Sequence, residues 1–511
     1  MAARALRTNF GINILGAMVP LGVSLLTVPL YVRHVGLDRY GVLSIVWVLL
    51  GYLGFLDFGL SRAAVNALAR LRDAPQPARA AVLVTTLGLN LGLGLVGSFV
   101  LAVGGTYLLE HVLNIPPALK PEVRQAFPCI VALFPLALVA GVGIGALESR
   151  ERFVLANLLQ VGGTALGQIV PVLLAVLVSP SLTVIIPVAA LVRATTVVAI
   201  LAAVWRSEGP LRLRHFDRRQ AGRLLSYGGW VTVSGVISPI LVSSDQFVIG
   251  AVLGVGAVAH YAVPMNLVTR SQLMPTALAR TLFPRMSQAG AHEARRLATR
   301  AWLSLACGYG AICAPAILLT PVFFRLWIGG DFAVVAAPVA QVLFIGAWIN
   351  GLAFVPYELL QSQGRPDITG KFHAAEVLPF TAVLWAGTTW FGLAGAAAAW
   401  SLRCSVDALC LFRAARMSAR DLAPAGLPLA LMIAAGLLSH LVTGQSLWLS
   451  LAAGTVIGFV SLGTAVILAE DLRDLASRLA GRTWRAAPAR QAASSRADRA
   501  DPPARTATGP R

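Results

Sequence analysis

The feature that most limits the fold of this chain is an apolar run of roughly 20 residues that recurs, between short polar breaks, almost to residue 470. A run of that length crosses the bilayer hydrocarbon as an α-helix, which satisfies its own backbone hydrogen bonds where no water can. Charged residues make up 12% of the 511, against about 25% in a soluble domain. A predominantly water-facing surface is therefore excluded.

The runs place spans at 9–32, 41–60, 81–108, 127–147, 153–178, 183–205, 225–248, 256–282, 301–326, 332–360, 370–391, 393–415, 422–442 and 446–469. The first is too long for a cleaved signal peptide and reads as a retained span. The expected fold class is an all-α integral membrane protein of about 14 transmembrane helices.

The basic residues test that count. The net charge is +19, and Lys120 and Lys371 are the only lysines. With a cytoplasmic N-terminus, one set of loops collects Arg62, Arg70, Arg72 and Arg79, then Arg150 and Arg152. The same set holds the arginines of 206–223, Arg285, Arg295, Arg296 and Arg300, then Arg365, and finally Arg413, Arg416 and Arg420. The opposite loops carry few, and those around Ser179, Gly254 and Gly444 carry none. This is the positive-inside asymmetry, and a missed span would reverse it downstream. Both termini are expected in the cytoplasm, with the chain in a bacterial inner membrane. Basic residues set between apolar runs follow topology, so no nucleic-acid partner is expected. The five cysteines lie inside apolar runs without a CxxC, so neither a disulfide nor a metal site is expected.

The basic linker 206–223 separates a six-helix bundle, 1–205, from a second, 224–416. Two additional helices follow in 417–469, and 470–511 reads as a disordered basic tail. The halves echo one another. Leu147-Glu148-Ser149-Arg150-Glu151-Arg152 follows the fourth span and Leu360-Gln361-Ser362-Gln363-Gly364-Arg365 the tenth. Gly36 and Tyr40 align loosely with Gly254 and Tyr261. Two pseudo-symmetric bundles with a path between them is a transporter arrangement.

Several stretches carry a family resemblance. They are Gly36-Leu37-Asp38-Arg39-Tyr40-Gly41 and Leu56-Asp57-Phe58-Gly59-Leu60, then Ser244-Asp245-Gln246-Phe247-Val248-Ile249-Gly250. Tyr261-Ala262-Val263-Pro264, Leu282-Phe283-Pro284, Leu326-Trp327-Ile328-Gly329 and Gly364-Arg365-Pro366 continue the set. In this order they resemble the Wzx-type polysaccharide flippases, the O-antigen and exopolysaccharide exporters of the multidrug/oligosaccharidyl-lipid/polysaccharide (MOP) exporter superfamily. The resemblance implies two helical bundles with alternating access. It implies as cargo an undecaprenyl-pyrophosphate-linked oligosaccharide, turned from the cytoplasmic to the periplasmic leaflet for surface polysaccharide biosynthesis. Membrane lipids, a polysaccharide polymerase and other assembly proteins are the implied partners.

An ionisable residue inside a span is a functional candidate because it costs about 2.5–3.5 kcal/mol to place there. Arg270 and Arg193 lie mid-span with no acid one helical turn away, and a guanidinium suits a pyrophosphate. Asp245 is a candidate partner for Arg270. Arg403 has Asp407 one turn on, which offers local pairing as well as a cavity role. Asp57 and Arg62 bracket the end of the second span, where helix capping and gating compete. Glu376 is a candidate for ion coupling, or for pairing with Lys371 or His373. Asn13, Asn266, Gln272 and Asn350 are read as sugar contacts or interhelical hydrogen bonds. No cofactor motif occurs, and H+, Na+ and the membrane potential all stay open as driving force.

Two other transport readings remain: a small-molecule cation antiporter and a lipid II flippase of the same superfamily. Unpaired arginines in a cavity favour an anionic cargo over a cationic one. A membrane enzyme is disfavoured by short loops, scattered histidines and the absence of HExxH or GxSxG.

Overall fold

The computed structural model describes residues 19–53, 57, 59–71, 74–222, 244–418, 423–442 and 444–479. The expected spans at 9–32 and 225–248, the candidate Asn13, the side chain of Arg62 and the tail beyond 479 fall wholly or partly outside them. Among the described residues there is no strand, and nine helices are long and apolar enough to cross a membrane.

The first half holds α1 (Val19–Val35), α2 (Leu37–Leu53), α3 (Leu60–Arg70), α4 (Gln76–Val112), α5 (Lys120–Ser149), α6 (Phe153–Leu177) and α7 (Leu182–Glu208). The second holds α8 (244–252), α9 (Val255–Ser271), α10 (Leu273–Gln288), α11 (Ala291–Trp327), α12 (Gly330–Ser362) and α13 (Pro366–Ala414). Then come α14 (Gly426–Val442), α15 (Leu447–Leu468) and α16 (Glu470–Leu479). At Gly392, φ 60° and ψ −142°, α13 reverses direction. A Cβ on Gly395 would overlap the carbonyl of Gly387, so the two limbs of this hairpin cross on glycine. These limbs correspond to the spans expected at 370–391 and 393–415.

Two expected spans are not single helices. The one placed at 41–60 is broken at Gly59, φ 69° and ψ 9°, after which α3 runs on to Arg70. The one placed at 256–282 is interrupted at Gln272, φ −73° and ψ 0°. Pro275 supplies the reason for the second break. It has no N–H for the Ser271 carbonyl, and its ring crowds that carbonyl. A third difference concerns the tail. Residues 470–479 form an amphipathic helix whose Leu472 packs with Cys307, Leu303 and Leu468. Ser304 Oγ of α11 donates to Asp471. Leu472, set against α11, gives this segment an apolar contact to bury.

The two halves share local backbone geometry. Gly36 before α2 has φ 89° and ψ 161°, and Gly254 before α9 has φ 91° and ψ 162°. The turn after α5 places Glu151 at φ 57° with Arg152 N donating to Leu147 O at 3.0 Å. The turn after α12 places Gly364 at φ 70° with Arg365 N donating to Leu360 O at 3.0 Å. Both are left-handed helix terminations with the same six-residue closure.

One end of the molecule joins the halves. There α2 and α9 cross at their N-termini, with Gly41 against the Val255 carbonyl and Gly256 against the Asp38 carboxylate. Asn114, between α4 and α5, donates to Gly250 O at 3.0 Å and accepts from Val255 N at 3.3 Å. Arg33 Nε donates to Ile328 O at 3.1 Å, and Trp327 Nε1 donates to Leu25 O at 2.6 Å. The other end carries the arginine-rich turns. A buried network holds the first half together there. Arg79, fully buried, donates to Glu208 at 2.7 and 2.5 Å, to Leu68 O at 2.6 Å and to Ser149 Oγ at 3.2 Å. Arg150 donates to the same carboxylate at 3.0 and 3.1 Å. The network thus ties α3, α4, α5 and α7 into one body.

Candidate substrate cavity

Rise along the helices sets the depth of the charged residues. Arg270 lies 15 residues from the start of α9, roughly 22 Å from the joined end, and Arg193 lies 11 residues into α7, roughly 16 Å. Both are therefore near mid-depth. Both line one cavity of 470 Å³ between the halves. Arg193 comes from the first half and Arg270 from the second. Among the described residues neither guanidinium has a hydrogen-bond or ion-pair partner. The helix break at Gln272 lies just beyond Arg270, where Ser271 Oγ meets Tyr309 OH at 2.5 Å.

The cavity wall is otherwise aromatic and amide-bearing. Tyr31, Tyr40 and Trp47 form a cluster with ring centroids 5.6–5.9 Å apart, and Trp47 meets both tyrosines edge-on at 77°. Tyr31 OH donates to Gln168 O at 3.2 Å. The side-chain oxygens of Gln168 and Gln246 are buried and lack a partner among the described residues. Asn266, one turn before Arg270, also faces the space. A second cavity of 570 Å³ continues toward the arginine-rich end and shares Ala137, Thr164 and Arg193 with the first. Its lining includes Ser61, Asn66, Glu148 and Gln160. The polar path thus runs from mid-depth toward the arginine-rich end, away from the crossing of α2 and α9.

Arg403 and Asp245 do not line this space. They sit in a separate buried cluster in the second half. Arg403 Nε lies 4.0 Å from Glu376 Oε2, and Asp407 Oδ1 lies 3.7 Å from His373 Nε2. Both pairs cross the α13 hairpin. Asp245 is 1% exposed, accepts from Gln246 N at 2.8 Å, and is close enough to feel the Arg403 charge. Arg403 also lies over the Phe380 ring, 5.6 Å from its centroid. Lys371 pairs with Asp367 at 3.6 Å rather than with Glu376. Three carboxylates thus gather around one guanidinium and one imidazole.

Asp57 caps α3. Its carboxylate accepts from Ser61 N at 3.0 Å and from Ser61 Oγ at 3.0 Å. Gln272 Nε2 donates to Ala347 O at 3.3 Å, an interhelical bond. The sequence reading missed Gln160, Thr164 and Gln168. Their four-residue spacing along α6 was the available signal, a polar stripe on an otherwise apolar span.

Broken helices flanking a polar mid-membrane cavity between two related halves define a transporter-type, multi-pass membrane protein. Residues 6–289 match the family described as polysaccharide biosynthesis protein, more than half of the chain, and the chain belongs to that family. It is 28% identical to the "Putative O-antigen transporter" of Shigella flexneri over 78% of this chain and 95% of that protein. It is 22% identical to the "Uncharacterized membrane protein EpsK" of Bacillus subtilis (strain 168), over 68% of this chain and 70% of that one. Among solved structures, the lipid II flippase MurJ in an inward closed conformation matches with a TM-score of 0.69 at 11% identity, covering 91% and 99% of the two chains. An inward-facing multidrug resistance MATE family transporter of the MOP superfamily matches with a TM-score of 0.65 at 17% identity, covering 80% and 98%. The two structural likenesses establish the fold. The relatives and neighbours that carry a functional name are transporters and flippases, not enzymes.

Proposed function

We propose that this protein is a flippase that carries an undecaprenyl-pyrophosphate-linked oligosaccharide across the inner membrane by alternating access, for surface polysaccharide biosynthesis. The observation that carries the reading is the pair Arg193 and Arg270. Two guanidinium groups, one from each half and neither paired among the described residues, face one cavity at mid-depth. A diphosphate engages guanidinium groups through charge-assisted, bidentate hydrogen bonds. The neighbouring aromatic rings and amides suit sugar rings and hydroxyls. The family match and the Shigella flexneri relative support a polysaccharide cargo over lipid II.

The positive-inside rule puts the arginine-rich end in the cytoplasm, with both termini on that side. The crossed α2 and α9 then close the periplasmic end, and the cavities face inward. A cationic cargo is disfavoured, because Asp245, Glu376 and Asp407 lie in the separate cluster rather than on the mid-depth cavity, whose described lining holds two arginines and no carboxylate. That cluster, Asp245, Glu376 and Asp407 with Arg403 and His373, serves in this reading as the site of a coupling cation.

The test is depletion of the protein in its own host. Lipid-linked oligosaccharide is expected to accumulate in the cytoplasmic leaflet, and surface polysaccharide to fall. An unchanged lipid-linked pool together with new sensitivity to cationic dyes would overturn the proposal.

A further inference from the structure

The linker after α7 does not hang free of the bundle. Gln76 Nε2 at the start of α4 donates to Pro210 O at 3.1 Å, and Asp217 N donates to Thr85 Oγ1 at 2.9 Å. Its two ends are therefore pinned nine residues apart on one helix, roughly 14 Å along the axis. Between them the Phe216 ring lies over Gly88, where an added Cβ would sit 3.5 Å from it.

Gly88 heads the exposed stripe of α4, which continues through Leu91, Leu95, Phe99, Val103 and Tyr107. Large apolar residues exposed along one face of a membrane span mark its lipid side. From Gly88 to Tyr107 is 19 residues, roughly 29 Å, the thickness of the hydrocarbon core. Tyr107 suits the aromatic belt at one interface. Phe216 then marks the other, at the arginine-rich end. Beside it Leu213 is 90% exposed, and Arg212, Arg214, Arg218 and Arg219 are exposed as well. Asp217 is occupied: its carboxylate accepts from Arg219 N at 2.8 Å and caps the turn that follows.

We infer that residues 211–219 form an interfacial anchor that binds acidic phospholipid headgroups of the leaflet at the arginine-rich end. Phe216 and Leu213 enter the acyl boundary, and the four arginines lie at the level of the phosphates. The charge is complementary to an anionic leaflet, and the apolar residues sit at the depth that such a leaflet requires. The inference rests on membrane embedding and not on the identity of the cargo.

The test uses the full-length protein with Cys129 and Cys410, its two partly exposed cysteines, replaced by serine. A spin label at Leu213→Cys is read by collision with oxygen and with a nickel chelate in nanodiscs. In nanodiscs containing phosphatidylglycerol the label is expected at the acyl boundary. In phosphatidylcholine alone, or with Arg212, Arg214, Arg218 and Arg219 all changed to Gln, it is expected to move into water. Retention of phosphatidylglycerol through detergent extraction should weaken roughly fivefold per arginine removed and persist in the matching Lys variants. A label in water in both lipids would leave the segment open to a protein partner and overturn the inference. A label equally deep in both lipids, with retention unaffected by the Gln changes, would overturn headgroup recognition.

Discussion

Gly41 packs so closely on Val255 that a Cβ there would overlap the Val255 carbonyl oxygen. This is the point at which the second helices of the two halves cross. Gly41→Ala should therefore prevent closure of the joined end while leaving each half folded. The check is reagent accessibility of a cysteine placed at Ser44, deep in the cavity beneath this crossing. It should become reactive to a periplasmic thiol reagent in the Ala variant, and export should fall. Unchanged accessibility would show that the crossing is not the closure.

The two cavity arginines should differ from every other arginine in the chain. Arg270→Ala and Arg193→Ala are each expected to lower export by about tenfold or more, the cost of one lost hydrogen bond to a charged group. Lysine at either position should retain part of the activity, since it keeps the charge but loses the bidentate fork. Pyrophosphate-linked cargo accumulating in the cytoplasmic leaflet is the readout. Full export by an alanine variant would remove that residue from the site.

Trp47 should matter to the sugar more than to the phosphate. Held edge-on by Tyr31 and Tyr40, it offers a fixed ring to the cavity. Trp47→Ala is expected to slow export by about two- to tenfold, and Trp47→Phe to restore most of it. The same accumulation assay measures both. Equal loss in the two variants would point to packing instead.

The Arg79–Glu208 pair is a stability feature. Arg79→Ala leaves a buried carboxylate with only Arg150 and should cost about 3–5 kcal/mol. The Arg124–Glu110 pair is mostly exposed, with side-chain exposures of 77% and 38%. Arg124→Ala should cost about 1 kcal/mol or less. Denaturation of the purified protein in detergent compares the two.

Glu376→Gln tests the buried cluster. In proteoliposomes it should abolish the dependence of transport on an imposed cation gradient while leaving cargo binding intact. Loss of binding as well would place the cluster's effect on the fold of the second half.

Much of the helix plan was readable in the sequence because apolar length is what the bilayer selects. The spans expected at 153–178 and 446–469 match Phe153–Leu177 and Leu447–Leu468 within a residue. The interruptions were not readable in the same way, since a break at Gln272 leaves hydropathy unchanged. A proline such as Pro275 marks where a helix can kink, but nothing local tells that the kink falls beside a cavity-lining Arg270. Mid-span arginines were legible because charge in lipid is costly. Their surroundings were not. Arg403 has an acid four residues on, yet Glu376 joins it from the other limb of α13, a contact that no local spacing encodes. The helical start of the tail was hidden by its polarity, although its three leucines carry the period.

In the proposed cycle, Arg193 and Arg270 would make the unloaded carrier a frustrated one. Two like charges on opposing halves resist any motion that narrows the space between them. An anion that bridges them would remove the resistance. The proposed cargo would then be more than a passenger: it would be the counter-charge that lets the halves approach. The empty protein, lacking it, would have an electrostatic brake against idling between the two states of that cycle.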